Sequence, residues 1–155
     1  MITIAIDPST TRTGIARLDR HVLIETISIK GAPTTDQIRE YLTGADQVAV
    51  EDQWVGDDED CDTQQEARAK KQSALLIKEA ATRWITVAEV LGIPVIVLHP
   101  STWRSRLKFR RGSSKFYKAQ AVAFCKARGW IIHNHDAAEA ACIGLVAWLT
   151  HSSAK

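Results

Sequence analysis

Ile2-Thr3-Ile4-Ala5-Ile6-Asp7-Pro8-Ser9-Thr10-Thr11 is the stretch on which the fold turns. An apolar run ends abruptly in a carboxylate, and a turn follows. A short Ile/Ala run bounded by Pro, Ser and Thr reads as a buried strand. Core positions rarely hold an aspartate, because an unpaired buried charge is costly. Asp7 therefore sits at the strand's exit or against a cation. At the exit it would accept backbone N–H bonds in an Asx-turn. Against a cation it would be a metal-binding carboxylate at the C-terminal edge of a sheet. The choice depends on whether other carboxylates reach the same point.

Outward from this strand, the pattern predicts an α/β domain. Thr13–Asp19 and Val22–Ile29 read as second and third strands joined by the Arg20-His21 turn, an antiparallel meander with the first. Asp36–Thr43 forms a short helix capped by Thr35. Gln47-Val48-Ala49-Val50-Glu51 is a second apolar strand that runs into an acid. Thr63–Leu91 is a long helix with Ala67, Ala74, Ile77, Ala81, Trp84, Ala88 and Leu91 on one face, stopped by Gly92 and Pro94. Ile93–Leu98 is a fifth strand, and 99–112 reads as a loop. Lys115–Arg128 follows as a helix capped by Ser114, with Phe116, Ala119, Val122 and Ala123 inward. The last helix opens at Asp136 and runs to about Thr150. The expected fold is a mixed five-stranded sheet, three antiparallel strands then two parallel, flanked by helices. One domain spans 1–151, with 152–155 as a frayed tail.

Ligand sites in such sheets lie beyond the carboxyl ends of strands. If the Glu51 strand pairs parallel with the first, a right-handed crossover sets Glu51 beside Asp7. Asp136 and Glu139, three apart at a helix start, share a face. Four carboxylates from three elements can then converge. Their mutual repulsion and desolvation cost several kcal/mol without a cation. Mg²⁺ or Mn²⁺ would stabilise them, and two such ions about 4 Å apart suit in-line attack of water on a phosphodiester. The alternative for Asp136-Ala137-Ala138-Glu139 is a capping box. The alternative for Glu51 is a strand-end acid in an acidic loop.

The charge is unevenly spread. Nine Lys/Arg and no acids lie between Ser101 and Arg128, whereas seven acids and no Lys/Arg lie between Glu51 and Asp62. A basic segment of that density marks an anionic partner, nucleic acid first, or a solvated surface. Cys61, Cys125 and Cys142 have neither disulfide nor zinc spacing and read as reduced thiols. No basic leader precedes the first apolar run, and no stretch has the length of a membrane span. These features predict a cytosolic protein. No nucleophile triad is present.

Taken together, I-x-x-I-D-P-S-T-T-R-T-G-I-A, V-A-V-E-D-Q-W and D-A-A-E-A-A resemble the RuvC family of Holliday-junction resolvases, within the RNase H-like superfamily. Pro100-Ser101-Thr102-Trp103-Arg104 is similar to the phage-type members. The resemblance covers the chain in order and spacing. It implies an endonuclease that resolves Holliday junctions or other branched DNA by paired symmetric nicks, leaving 5′-phosphate and 3′-hydroxyl, in bacterial or phage-infected cytoplasm. It implies Asp7, Glu51, Asp136 and Glu139 as catalytic ligands of two Mg²⁺, with Mn²⁺ able to substitute. Glu139 stands where the family more often has Asp, and Ser9 where it usually has Gly. Less structure-selective flap or fork nucleases and non-catalytic nucleic-acid binders share the scaffold, and the complete acid set weighs against the latter. An actin-like ATPase is disfavoured, since the chain lacks a second half with its own phosphate loop.

The same resemblance gives Trp54 a base-stacking role, worth roughly 1–3 kcal/mol per base. Packing back over the domain is its alternative. Lys115 and Lys118 oppose the dipole of the helix they begin, which weakens a purely structural account, and a phosphate there would be held by lysines and backbone N–H groups together. By resemblance Lys118, or else Lys115, stabilises charge at the scissile phosphate. Arg104, Arg106, Lys108, Arg110 and Arg111 in the loop, with Arg68, Lys70 and Lys71 on the long helix, read as duplex contacts. Trp103 reads as a loop anchor, and His133 and His135 as turn histidines, although some relatives place a histidine in the metal site. Paired nicks imply a C2 homodimer, for which the resemblance points to the helix over 63–91 as the interface; core packing is the alternative use of its small-residue face.

Overall fold

The computed structural model describes residues 1–52 and 63–153. Five strands form one sheet: β1 (Ile2–Asp7), β2 (Arg12–Asp19), β3 (Val22–Lys30), β4 (Gln47–Glu51) and β5 (Val95–Leu98). Their spatial order is β3-β2-β1-β4-β5. β1–β2 and β2–β3 pair antiparallel, while β4 pairs parallel with both β1 and β5. This is the mixed sheet that the sequence predicts, with the Asp7 strand at its centre.

Strand periodicity sends alternate residues to opposite faces. Ile4, Ile6, Ile15, Val48 and Val50 face α1 (Thr35–Leu42) and α2 (Gln64–Val90), where Ile38, Leu42, Ala81, Trp84 and Ala88 complete one core. Ala5, Ala16, Leu18 and Ala49 face α5 (His135–Ser152), whose residues from Asp136 to Ala147 are all buried. The residues under α5 are small, so the helix lies close to the sheet. A β-carbon at Gly144 would overlap Leu18 and press on Ala5, and one at Gly14 would overlap the Asp136 carbonyl oxygen. Gly14 pairs with Asp7 in the sheet, so the same position brings the start of α5 down to the end of β1.

Several local expectations shift. The segment read as a loop from 99 to 112 contains a helix, α3 (Pro100–Arg106), with Pro100 in its first turn and His99 as N-cap. Proline suits that position because its missing N–H needs no partner there. The caps of α1, α4 (Ser114–Ala127) and α5 are Thr34, Ser113 and Asn134. α4 buries Ala121 and Cys125, whereas Ala119 and Ala123 are exposed and Phe116 is 42% exposed. The buried side of α4 is set by packing against the core under α5, which takes Ala121, Cys125, Phe124 and the predicted Val122 and leaves Phe116, Ala119 and Ala123 outside. Leu91 follows the last turn of α2 and is exposed, because the chain has already left the helix. α5 extends to Ser152, past the predicted end at Thr150. Among the described residues no helix is long and apolar enough to cross a membrane.

Gly14→Ala should destabilise the protein by about 2 kcal/mol, an overpacking cost. Urea unfolding of the variant against wild type measures it, and an unchanged midpoint would show that α5 can lift away freely.

Candidate active site

The parallel register Ala5↔Ala49 and Ile6↔Val50 makes Asp7 and Glu51 neighbours one step further on. Both belong to the strand positions that face α5, so the acids leave the core on the same side. Asp136 and Glu139, in the first turns of α5, close over them. Oxygens of Asp7, Asp136 and Glu139 lie within 4.8 Å of one another. All four acidic residues are buried, none more than 9% exposed.

The capping alternative for Asp136 and Glu139 does not hold, because Asn134 is the N-cap and its side chain accepts from the Ala137 N–H. The two acids are thereby left to face the sheet edge. Burial, then the negative charges of Glu51, Glu139 and Asp136, raise the Asp7 carboxyl well above the usual range, against the pull of Lys118. Glu139 is pushed from 4.5 up to about 7, by burial first and by Glu51, with Arg104 and Lys118 opposing. Protein cations therefore leave the cluster short of positive charge. Carboxylate oxygens at this spacing are hard donors, and the set fits a divalent cation of the Mg²⁺ or Mn²⁺ type.

Two protein cations border the acids. Lys118 Nζ stands 3.4 Å from Asp136 Oδ1. Arg104, half-buried on α3, reaches Glu139 at 3.6 Å and Glu51 at 3.9 Å. Its guanidinium lies over Tyr117 at 4.3 Å and over Trp103 at 5.0 Å. Arg104, which the sequence suggests as a duplex contact, lines the cleft and borders the acid cluster. Trp103 is fully buried and donates its indole N–H to Glu51 Oε1 at 2.8 Å. That link and the Tyr117 stack were missed. The only sequence signal for them is Pro100 three residues before Trp103, a helix-start signature.

The acids form the floor of an open cleft of about 1030 Å³ that is also lined by Lys108, Arg111, Ser114 and Lys118. Lys115 lines a neighbouring groove on α4 with Lys118 and Lys126. Arg106 turns away from the acids and donates to Thr150 at the far end of α5. Arg110 is fixed through its backbone, which exchanges hydrogen bonds with the Gln120 side chain. Arg68, Lys70 and Lys71 are exposed on the first turns of α2. His133 is exposed, and His135 Nε2 stands 3.1 Å from Asp136 Oδ1. Trp54 and Cys61 lie outside the described residues.

No family model matches the chain, and no curated protein does. Solved structures match over nearly its whole length. RuvC of T. thermophilus in complex with a Holliday junction substrate aligns with a TM-score of 0.63 and 20% identity, covering 98% of this chain and 96% of that one. The fowlpox virus resolvase with its substrate Holliday junction DNA aligns at 0.59 and 14% identity, covering 97% of this chain and 99% of that one. The fold is that of the RuvC resolvases. In this fold, β1 and β4 end side by side and α5 closes over their carboxyl ends, which is the geometry that gathers the acids here.

The sign of the pH dependence follows from the raised acids. A carboxyl whose folded pKa lies above its unfolded value stabilises the fold at low pH and loses that contribution as pH rises. In EDTA, stability should fall between pH 4.5 and about 7, through the window set by Glu139. Asp7→Asn removes one of the repelling charges and should raise the melting temperature of the metal-free protein at pH 8. Thermal melts from pH 5 to 8 check both, and a lower melting temperature for the variant would contradict the electrostatic account.

Proposed function

We propose that the chain is a metal-dependent endonuclease that resolves four-way DNA junctions. The observation that carries this reading is the convergence of the buried carboxylates of Asp7, Asp136 and Glu139, with Glu51 beside them at the same sheet edge, short of positive charge and open to a cleft, on a RuvC-type fold. Asp7, Glu51, Asp136 and Glu139 are the residues that would hold Mg²⁺, or Mn²⁺ in its place, as a pair of ions. When bound, such ions stabilise charge on phosphoryl oxygens and make water a stronger nucleophile near neutral pH.

The reaction is hydrolysis. The oxygen of water bonds to phosphorus, the bond to the 3′ oxygen breaks, and that oxygen takes a proton. The products are a 5′-phosphate and a 3′-hydroxyl. Lys118, at the rim of the acids, offsets the charge that develops on the phosphate, an electrostatic role that needs no proton transfer. Arg104, beside Glu51 and Glu139, adds a second cation. Lys115 at the first turn of α4 binds the neighbouring phosphate with help from backbone N–H groups. Lys108 and Arg111 at the cleft wall, and Arg68, Lys70 and Lys71 on α2, hold the duplex arms. Arg106 and Arg110 contribute at the outer surface. Trp54 stacks on a base exposed at the branch point. The setting is the cytoplasm of a bacterial or phage-infected cell.

Paired nicks require paired sites. A C2 dimer through α2 supplies them, and Leu75 and Leu76, 55% and 49% exposed, give that helix apolar surface to bury. Leu75→Glu with Leu76→Glu should convert a dimer to a monomer in sedimentation velocity. A wild-type protein that sediments as a monomer at all concentrations would remove this part of the proposal.

The principal test is Mg²⁺-dependent cleavage of a synthetic four-way junction against flap, fork and linear duplex controls. The junction should be cut in preference, and Asp7→Asn should abolish cleavage while leaving junction binding within a few-fold. Persistent cleavage by the variant would refute the catalytic assignment. Equal cleavage of flaps and forks would make the protein a less structure-selective nuclease.

A further inference from the structure

Trp103 is the one tryptophan of α3, and its ring is fully buried. If only volume were needed there, phenylalanine or leucine would serve. An indole N–H can only donate, and when buried it must find an acceptor. Here the acceptor is not a backbone carbonyl but Oε1 of Glu51, 2.8 Å away and 52 positions earlier in the chain.

The donor is itself rigidly held. Phe109 packs edge-on against the Trp103 ring at 5.7 Å, and Phe124 packs edge-on against Phe109 at 6.0 Å. The α3 turn is started by Pro100 and capped by His99, and its end is fixed by the Leu107 N–H bond to the Trp103 carbonyl. A side chain locked by packing can set the orientation of its partner.

We propose that Trp103 is a positioning residue for the reaction, whose N–H sets the Glu51 carboxylate toward Asp7 and α5 before a cation arrives. Glutamate has a flexible stem, and repulsion from the other acids favours swinging it out to solvent. A neutral donor holds it without consuming its charge, so the full negative charge remains for the cation. Arg104, one residue on, approaches Glu51 at 3.9 Å with a charge that competes with the cation instead. The hydrogen bond corresponds in kind to the outer contacts that orient metal-binding carboxylates.

This inference rests on the reading of Glu51 as a metal-binding acid, and the experiment separates the two. Mn²⁺ binding is measured by calorimetry for wild type, Trp103→Phe, Glu51→Gln and the double variant, with junction binding in EDTA as a control. Trp103→Phe should raise the Mn²⁺ dissociation constant about tenfold to a hundredfold. It should leave junction binding in EDTA unchanged and add nothing to the loss in Glu51→Gln. If Trp103→Phe binds Mn²⁺ like wild type while Glu51→Gln is impaired, the positioning role is wrong and the metal-site reading stands. If Glu51→Gln binds like wild type, both fail. An additive loss in the double variant would reduce Trp103 to packing. Should Trp103→Phe not fold, benzothienylalanine introduced at 103 keeps the bicyclic shape without the N–H and is read in the same way.

Discussion

The close seating of α5 on the sheet is the constraint on which the rest depends. Ala5, Ala16 and Ala49 below, with Gly14 and Gly144 at the contact points, leave no room for larger side chains. With the sheet on one side and α3 and α4 on the other, α5 buries nearly its whole circumference, and Asp136 and Glu139 are buried with it. Their proximity to Asp7 and Glu51 is a consequence of backbone approach. It is not an attraction between the acids, which repel. The dense alanine–glycine packing offsets that repulsion, and the raised carboxyls of Asp7 and Glu139 record it.

The cleft combines two kinds of cation. Lys118 is a point charge on a flexible stem, partly exposed on α4. Arg104 is planar and sandwiched by rings, with its Nε buried and without a hydrogen-bond partner among the described residues. A guanidinium held in this way is a fixed charge. Arg104, Trp103 and the cleft-lining Lys108 and Arg111 belong to one short stretch, so the basic segment of the cleft wall also touches the acids.

Much of the fold was legible because its signals are local and redundant. The meander of β1 to β3 reads from alternating apolar runs and tight turns. α2 and α5 read from long periodic stripes. The α4 face read only in part: Val122 packs inward as its spacing predicts, but Ala121, Phe124 and Cys125 rather than Phe116, Ala119 and Ala123 accompany it, because apolar residues lie on several sides of this helix and the position of α5 chooses among them. α3 was hidden by its length and charge: one buried tryptophan in seven residues makes no periodic pattern.

The sequence by itself determined that two apolar strands end in acids, that a third acid pair opens a helix, and that basic charge gathers between residues 101 and 128. Such facts depend on residue type and spacing alone. Tertiary structure decided which acids meet, since strand register and helix depth are properties of contacts distant in the chain. The local cap at Asn134 leaves Asp136 and Glu139 uncommitted, and the depth of α5 turns them onto the sheet edge. Tertiary structure also turned Trp103 from a packing residue into the donor to Glu51, a pairing across 52 positions that only the folded geometry defines.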